Sequence, residues 1–205
     1  MKLALAYDTE TTGLPLFSEP SEDPRQPHIV QLAAALVNLD TRETISSLDI
    51  IIRPDDWTIP DEVSKVHGIT TEMAMDLGVP EEDALRMFMD LWKGRTRIAH
   101  NESFDARILR IAQHRFGYSE EELDEWKQGD VQCTAKMSTP VVKCPPTAKM
   151  RAAGRHHYKT PNLSEAYKHF TGEELQNAHS AMADVQGCLA VYWALQDLVK
   201  KELST

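Results

Sequence analysis

The order of apolar segments along the chain predicts one α/β domain with a mixed central β-sheet flanked by α-helices. Three apolar runs of strand length lead the sequence, and helices, a further short strand and more helices follow them. The chain has 205 residues, of which 41% are hydrophobic and 26% are charged, and this is enough for one full hydrophobic core. The sequence contains no internal repeat or low-complexity tract that would favour another architecture.

Apolar runs bounded by turn residues define the predicted strands. The first run begins at Leu3 and leads directly into Asp8 and Glu10, and Gly13 ends it. A loop with four of the eleven prolines follows, and two further apolar runs then form a hairpin around a polar turn. The predicted strands are residues 3–7 with the acids that follow, 28–37, 44–53 and 97–100.

Apolar residues at helical spacing, together with capping residues, predict the helices. Pro60 suits the first turn of a short helix, and Thr70 or Thr71 can cap the next one. Ser119 and Glu122 form a capping-box pattern, which marks the start of a later helix. The predicted helices begin near residues 60, 71, 80, 103, 119, 162 and 178, and the last one continues to residue 200.

Composition excludes several classes of protein. No run approaches the roughly 18 apolar residues of a membrane span, and the N-terminus is too short and too soon charged for a secretory signal. Cys133, Cys144 and Cys188 are far apart and form no C-x-x-C pair, so they indicate neither a zinc site nor a disulfide framework. We therefore expect a cytoplasmic protein without a membrane partner. The net charge of −10 argues against a general nucleic-acid coat protein, but it leaves a metal-dependent nuclease open, since bound cations supply positive charge locally.

Two acids stand at the end of the first predicted strand. Asp8 and Glu10 are separated by one residue, so their side chains point to the same side of the strand. Two carboxylates held close together repel each other unless a positive charge lies between them. An oxygen-preferring divalent cation such as Mg²⁺ or Mn²⁺ would supply this positive charge. The alternative is a solvated strand end whose acids face water.

A third acid, Asp105, lies where a predicted strand passes into a helix, in the stretch His100-Asn-Glu-Ser-Phe-Asp105. Active-site groups of α/β sheets collect at this kind of strand-to-helix junction. The alternative is an acid in the first helical turn that is favoured only by the helix dipole. Asp105 is therefore either an active-site acid or an acid that only stabilises the start of the helix.

The start of the last predicted helix carries a histidine and a fourth acid. His179 and Asp184 are five residues apart, which corresponds to about 500° of helical rotation, so they do not share a helix face. We therefore expect His179 on a loop just before the helix and Asp184 on the helix itself. A histidine that can move suits a general base near neutral pH. The alternative is an ordinary surface-loop histidine.

The motifs D-x-E-T-T-G, N-x-x-F-D and H-x-x-x-x-D follow one another in this order. Together they resemble the DEDDh branch of the DnaQ-like 3′–5′ exonucleases, the family of the proofreading subunit of bacterial replicative polymerase. The likeness covers almost the whole chain, because residues 59–70, 162–167 and 178–184 are also similar to family motifs. It implies a ribonuclease H-like fold and one exonuclease domain over residues 1–205, in a stand-alone member with a proline-rich loop similar to that of phage or prophage relatives.

The resemblance implies a role for each acid. Asp8, Glu10 and Asp184 would hold one divalent cation, Mg²⁺ or Mn²⁺, and Asp8 with Asp105 would hold a second, directly or through water. His179 would deprotonate the attacking water. Two cations roughly 3.5–4 Å apart supply the nucleophile and cancel charge on the attacking and leaving oxygens of a phosphodiester. The five catalytic residues would thus be Asp8, Glu10, Asp105, His179 and Asp184.

The same resemblance implies a pocket for the 3′-terminal nucleotide. An aromatic side chain such as Phe104 can stack on a base of any identity, which suits an exonuclease without sequence preference. The alternative is that Val66 and Phe104 belong to the hydrophobic core. The implied pocket residues are Thr9, Thr11, Val66, His67 and Phe104.

Residues 131–164 contain no Asp or Glu and carry six Lys and Arg residues. Four prolines predict that this stretch is an irregular loop or insertion. Our hypothesis is that it grips the phosphates of the substrate strand. The alternative is a solvated, partly disordered insertion. The positive residues are Lys136, Lys143, Lys149, Arg151, Arg155 and Lys159.

The expected function is a metal-dependent 3′–5′ exonuclease that releases nucleoside 5′-monophosphates from single-stranded or frayed DNA 3′ ends. The Thr-Glu pair after Asp8 favours DNA, because family members that trim short RNA typically have a different pair there. One alternative is an RNA-directed exoribonuclease that resembles RNase T or oligoribonuclease. A second alternative is a non-catalytic module that docks onto a polymerase. A polymerase or a second copy of the chain is a possible protein partner in any of these cases.

Overall fold

The computed structural model describes residues 1–203 and contains a five-stranded mixed sheet in the order β3-β2-β1-β4-β5. β1 pairs antiparallel with β2 and parallel with β4, and the outer pairs are antiparallel β2–β3 and parallel β4–β5. The predicted fold class is confirmed, because helices flank this sheet. The strands are β1 Leu3–Thr11, β2 Ile29–Asn38, β3 Thr44–Ile51, β4 Thr96–Ala99 and β5 Val131–Cys133.

In the described part of the chain, seven helices (α1–α5, α8 and α9) correspond to the predicted ones, and α6 and α7 were not predicted. The predicted caps are present at α2 and α5. Thr70 accepts the backbone N–H of Met73 at the start of α2, and Ser119 with Glu122 forms the capping box of α5. Within residues 1–203, no helix is both long and apolar enough to cross a bilayer. The helices are α1 Asp61–His67, α2 Thr71–Leu77, α3 Glu81–Trp92, α4 Glu102–Arg115, α5 Glu120–Gln128, α6 Thr134–Val142, α7 Ala148–Ala152, α8 Leu163–Thr171 and α9 Ala181–Glu202.

The two faces of the sheet bury different side chains. Leu5 and Tyr7 of β1 belong to the core under α3 and α4. Ala4 and Ala6 point to the opposite face and pack with residues of α9. Because alanine side chains are small, α9 approaches the sheet closely along this face. Asp8 continues the Ala4–Ala6 alternation, so it points to the side of α9.

The prediction that residues 131–164 are irregular is wrong for much of the segment. β5 adds a fifth strand beside β4, and α6 contains Pro140 within its nine residues. β5 has three residues, which is too short for an alternating pattern to indicate a strand. A proline removes one backbone donor, and α6 accommodates this loss because its buried residues Thr134, Ala135 and Ser138 pack inward. Tertiary packing therefore overrides the local proline signal.

Candidate active site

The candidate site lies where β1 extends beyond β4. The two strands pair only over Ala4–Ala6, so the following residues of β1 face the start of α4 instead of a strand. Asp105 of α4 occupies this position and is buried. Thr9 donates to Asp105 Oδ1 from its backbone N–H at 3.1 Å and from its hydroxyl at 2.7 Å. Asp105 is thereby fixed beside the strand that carries Asp8.

A buried polar network orients the helix that carries Asp105. Tyr7 donates from its hydroxyl to Glu102 Oε1 at 3.0 Å, and Arg97 Nε lies 3.1 Å from the same oxygen. The guanidinium of Arg97 also lies over the ring of Trp126, with its Cζ 3.9 Å from the ring centroid. Arg97 and Glu102 thus form a buried ion pair within a packed network, which favours one geometry. The first turn of α4 is therefore a rigid support for Asp105.

The opposite wall of the site is the start of α9, which a glutamine of β2 attaches to the sheet. Gln31 pairs with Glu10 across the strands, at a β-bulge between Glu10 and Thr11. Its Oε1 accepts the backbone N–H of Ala181 at 3.2 Å, while its Nε2 donates to Asp49 at 2.7 Å. Bulges beside active sites redirect side chains. Sequence reasoning did not identify Gln31, because its partner lies 150 residues away.

His179 and Asp184 occupy the predicted positions before and on α9. His179 is exposed and has a left-handed backbone with φ of 69°, and its N–H donates to Asp184 Oδ2 at 3.1 Å. The other oxygen, Asp184 Oδ1, is buried and has no hydrogen-bond partner within residues 1–203. One ligand atom each from Glu10, His179 and Asp184 lies within 4.8 Å of the others. His179 is therefore exposed as a surface histidine would be, but it stands beside two acids.

Burial raises the pKa of all four acids, and repulsion by neighbouring acids adds to it for Asp8, Glu10 and Asp105. Burial and then repulsion by Asp105, Asp184 and Glu10 hold the pKa of Asp8 well above its usual range. Burial, with repulsion by Asp184 and Asp105, raises the pKa of Glu10 to about 8. Burial raises the pKa of Asp105 to about 7, although the hydrogen bonds from Thr9 act in the opposite direction. Burial also raises the pKa of Asp184, against the hydrogen bond from His179.

This arrangement fits divalent cations. Carboxylate oxygens are the ligands that Mg²⁺ and Mn²⁺ prefer, and Asp184 Oδ1 is a buried oxygen without a partner within residues 1–203. Acids whose charged forms destabilise each other are also the groups that gain most from a cation between them. Among the described residues, Asp8 and Asp105 fall outside the 4.8 Å cluster, although both carboxylates are close enough to the site to raise the pKa of Cys188 on α9.

A cavity of about 350 Å³ adjoins the acids, and all five predicted pocket residues line it. Val66 is 52% exposed, which excludes the alternative that it belongs to the core. Phe104 is half-buried and packs against the core while it lines the cavity. The predicted residues are Thr9, Thr11, Val66, His67 and Phe104.

His67 connects this cavity to the catalytic side of the site. Its Nδ1 accepts the backbone N–H of Ile69 at 3.1 Å, and its buried Nε2 has no partner within the described part of the chain. Burial and then the nearby His179 lower the pKa of His67. The ring is therefore neutral near pH 7 and stands close to His179.

Further residues line the cavity that sequence reasoning did not name. Glu62 and Val63 lie one helical turn before Val66 and His67, so spacing along α1 could have indicated them. The turn after β1 supplies the rest of the wall, and it follows directly from the D-x-E-T-T-G motif. The additional lining residues are Thr12, Gly13, Leu14, Glu62 and Val63.

Sequence comparison identifies relatives across most of the chain. A family model described as RNase T, exonuclease, matches residues 5–192. DNA polymerase III subunit epsilon of Treponema pallidum is 28% identical over 188 residues, which cover 91% of this chain and 73% of that subunit. The epsilon subunit of Pasteurella multocida is 35% identical over 105 residues, which cover 51% of this chain and 39% of that subunit. The chain therefore spans less than half of some curated relatives.

Structural comparison gives the same fold. E. coli exonuclease I, solved in complex with a dT13 oligonucleotide, superposes with a TM-score of 0.72 at 18% sequence identity. The match covers 100% of this chain and 44% of exonuclease I, so it establishes a ribonuclease H-like fold for the part in common. Because the exonuclease model matches residues 5–192, a range that contains all three motifs, the chain belongs to the RNase T family of exonucleases, within the DnaQ-like superfamily.

Proposed function

We propose that residues 1–205 form one exonuclease domain that removes nucleoside 5′-monophosphates from the 3′ ends of DNA with the help of divalent cations. The observation that carries the proposal is the cluster of Glu10, His179 and Asp184, whose ligand atoms lie within 4.8 Å of one another beside a cavity of about 350 Å³. Membership of an exonuclease family supports the same reaction class.

The acids would hold two cations, Mg²⁺ or Mn²⁺. Glu10 and Asp184, together with Asp8, are the ligands of the first, and Asp8 with Asp105 serves the second. When bound, such cations neutralise charge on the attacking and leaving oxygens of a phosphodiester and lower the pKa of water. The raised pKa values of these acids support this assignment, because burial disfavours the charged form of each and neighbouring acids also repel the charge of Asp8 and Glu10.

His179 is the general base of the proposed reaction. Its ring accepts the proton of the attacking water, and Glu10 and Asp184 compensate the positive charge that the ring gains. The exposed position of His179 lets the proton pass on to solvent. The backbone N–H of His179 donates to Asp184 Oδ2, which keeps the ring close to the acids while the side chain stays free to turn.

The cavity is the binding site for the terminal nucleotide. Phe104 and Val66 offer apolar surface to the base, and stacking of this kind is tolerant of sequence. Thr9 and Thr11 are already engaged, with Asp105 and with the carbonyl of Gly13, so they shape the cavity instead of reading a base. These contacts support an exonuclease that removes any of the four nucleotides.

DNA is the proposed substrate. The curated relatives are named DNA polymerase III subunits, and the solved exonuclease I contains a deoxyribonucleotide oligomer. RNA is the alternative, and the same experiment decides between them. A site that excludes RNA would clash with its 2′-hydroxyl. Comparing the digestion rates of DNA and RNA tests this preference directly.

The test is a digestion time course with 5′-labelled single-stranded DNA and RNA of one sequence, with Mg²⁺ or Mn²⁺ and with EDTA. We expect a ladder that shortens from the 3′ end, requires metal and disappears in Asp184→Asn. The matched control is Asp197→Asn on the exposed part of the same helix, which should keep full activity. Equal loss in both variants, or activity in EDTA, would contradict the proposed site.

A second candidate is a module that docks onto a polymerase, because the curated relatives are polymerase subunits. Mixing the protein with a replicative polymerase and following the elution volume tests it. Co-elution together with an absence of nuclease activity would favour docking as the main function. Co-elution with nuclease activity would instead indicate proofreading within a complex.

A further inference from the structure

Residues 145–158 form an excursion from the core, which we call the basic arm. Its two ends meet at an antiparallel bridge, where the backbone N–H of Lys159 donates to the carbonyl of Cys144 at 2.9 Å. Two residues further, the carbonyl of Pro161 lies 3.1 Å from His100 Nε2. His100 directly follows β4, which runs parallel to β1 and ends at the same edge of the sheet. The base of the arm therefore adjoins the edge that carries the acids.

The arm is folded internally. Thr147 accepts the backbone N–H of Met150 at 3.1 Å and so caps α7. The Arg151 side chain donates to the carbonyl of Pro146 at 2.7 Å, and the backbone N–H of Arg155 donates to the carbonyl of Met150 at 2.9 Å. A solvated, irregular insertion would not satisfy its own backbone in this way. The arm thus presents its side chains in a defined arrangement.

Positive charge on the arm is uncompensated. The arm contains Lys149, Arg151 and Arg155 and no acid, in a chain whose net charge is −10. All three side chains are exposed, and none has an ion-pair partner within residues 1–203. Lys159, just outside the arm, is instead paired with Glu165 at 2.6 Å. Unpaired, exposed cations on an acidic protein are suited to a polyanion.

We infer that the basic arm binds the sugar–phosphate backbone of the substrate strand, several nucleotides before the 3′ end that enters the cavity. The inference rests on the proposed function, which puts a nucleic-acid end among the acids. An acidic protein repels a polyanion at long range, so a local positive surface at the rim of the site is needed to hold the strand. Tyr158 is 48% exposed at the end of the arm and offers a ring on which a base can stack.

The test compares two variants that each lose one lysine and one arginine. Lys149→Ala/Arg155→Ala removes two of the three cations of the arm and keeps Arg151, which donates to the Pro146 carbonyl within the arm. Arg86→Ala/Lys127→Ala removes the same charge from exposed positions on α3 and α5. Binding of fluorescent single-stranded DNA and RNA is followed by anisotropy at several NaCl concentrations, in the inactive Asp184→Asn background. Thermal melting checks that both variants are folded.

Each phosphate contact on a single strand contributes about 0.7 to the slope of log affinity against log salt. The slope of the arm variant should therefore be less steep by about 1.4. Between about 50 and 200 mM salt, the factor by which its affinity falls should be about seven times smaller than the factor for its parent. The control variant should keep the parental slope. Reduced slopes with both DNA and RNA indicate recognition of phosphates alone, and a reduced slope with one of them also identifies the sugar. An arm variant with the slope of the control would overturn the inference.

A second measurement separates this inference from the proposed function. The p-nitrophenyl ester of thymidine 5′-monophosphate contains one phosphodiester and is too short to reach the arm. The quantity compared is the ratio of kcat/KM for a long strand to kcat/KM for this ester, measured in the active background. This ratio should be lower in the arm variant than in the parent, and it should not change in the control variant. If the parent protein hydrolyses neither substrate, the proposed exonuclease function is wrong, while the salt dependence of binding still decides the role of the arm.

Discussion

Asp105 is oriented by a single residue of the central strand. Thr9 supplies two donors to one carboxylate oxygen, and both side chains are buried. Thr9 belongs to the face of β1 opposite Asp8 and Glu10, so the two sides of one strand contribute to the same site in different ways. The acids are available for ligands, and the threonine between them fixes the acid of α4.

Thr9→Val keeps the shape of the side chain and removes the hydroxyl. We expect a loss of about 1.5–3 kcal/mol in the free energy of unfolding, because a buried carboxylate loses a hydrogen-bond donor. Exonuclease activity should also fall. Urea unfolding and the digestion assay measure the two effects. Thr139→Val, whose hydroxyl donates to its own helix at Ala135, is the control, and an equal effect of both changes would contradict this role of Thr9.

The acids and the histidine could be predicted from the sequence, but their partners could not. Each motif is local, since an i, i+2 spacing fixes the side of a strand and a cap position fixes the start of a helix. The bond from Thr9 to Asp105 joins residues 96 positions apart, and the bond from Ala181 to Gln31 joins residues 150 positions apart. No local pattern contains such pairs, because only the strand order brings them together.

Among the elements, α9 depends on a glycine for its contact with the loop that carries His179. A Cβ on Gly187 would lie 2.8 Å from Leu175 Cδ1. Leu175 precedes His179 by four residues in the connection between α8 and α9. Gly187 therefore allows this connection to lie directly on the helix, next to the acids.

Gly187→Ala should reduce exonuclease activity with little change in stability. A helical alanine gains about 1 kcal/mol over glycine, and this gain offsets the cost of shifting Leu175 together with the connection to which it belongs. The displaced connection would misplace His179. Urea unfolding and kcat/KM on single-stranded DNA are the measurements, and the double variant Leu175→Ala/Gly187→Ala should recover activity. Parental activity in Gly187→Ala would show that the connection does not position His179.

A second glycine joins α2 to the edge of the sheet. A Cβ on Gly78 would lie 2.4 Å from the carbonyl oxygen of Ala74 and 2.5 Å from the backbone nitrogen of Arg53. Both are backbone atoms that are held in place by hydrogen bonds: the Arg53 N–H donates to the Val79 carbonyl, and the Gly78 N–H donates to the Ala74 carbonyl. This junction has no room for any side chain.

Gly78→Ala should therefore lower the free energy of unfolding by about 3 kcal/mol, the upper range for overpacking of a rigid site. Chemical denaturation measures it. Gly117→Ala is the comparison, because its positive φ of 70° costs about 1 kcal/mol while nothing lies within 4 Å of the new Cβ. If Gly78→Ala were no more destabilising than Gly117→Ala, backbone crowding would not limit this position.

The elements that sequence analysis missed share a physical cause. β5 has three residues and α6 includes Pro140, so neither shows a clear period or an uninterrupted helical pattern. Both exist because neighbours complete them: β4 supplies the hydrogen bonds of β5, and α8 and α9 pack against α6. The ends of α3 and α4 could be predicted to within one residue, whereas α9 begins three residues after its predicted start.

For the whole molecule, the concentration of acids makes stability depend on pH when metal is absent. Glu10 has a pKa of about 8 in the folded chain against an ordinary value of 4.5, and Asp105 has about 7 against 3.8. The folded state therefore binds more protons at these two acids than the unfolded state does between these values. Their contribution to stability is fully present below the ordinary values and is lost as pH rises towards about 8.

Thermal melting in EDTA should accordingly show a melting temperature that falls from about pH 5 to about pH 8. Mn²⁺ should oppose this trend, because cation binding requires the deprotonated acids and stabilises the folded state. Glu10→Gln should flatten the dependence in EDTA and reduce the gain from Mn²⁺. A melting temperature that stays constant or rises over this pH range in EDTA would contradict the coupling among the acids.

The fold class and the order of most strands and helices could be predicted, because hydrophobic patterning records which elements are buried. The exceptions are β5, α6 and α7, which lie within residues 131–164. The mutual position of the three motifs followed from the resemblance to a family. The distribution of positive charge in space could not be predicted. The sequence shows that residues 131–164 are basic, but it does not show that part of this segment is a closed arm.

The bridge between Cys144 and Lys159 makes the arm a separable unit. Chain entry and exit are neighbours in space, so a short turn could join them without stretching the scaffold, and a longer segment could replace the arm at little cost in closure entropy. Insertion, deletion and exchange of residues 145–158 are thus open to evolution while the acids stay in place. In such an architecture the reach of the enzyme along its substrate can change independently of its chemistry.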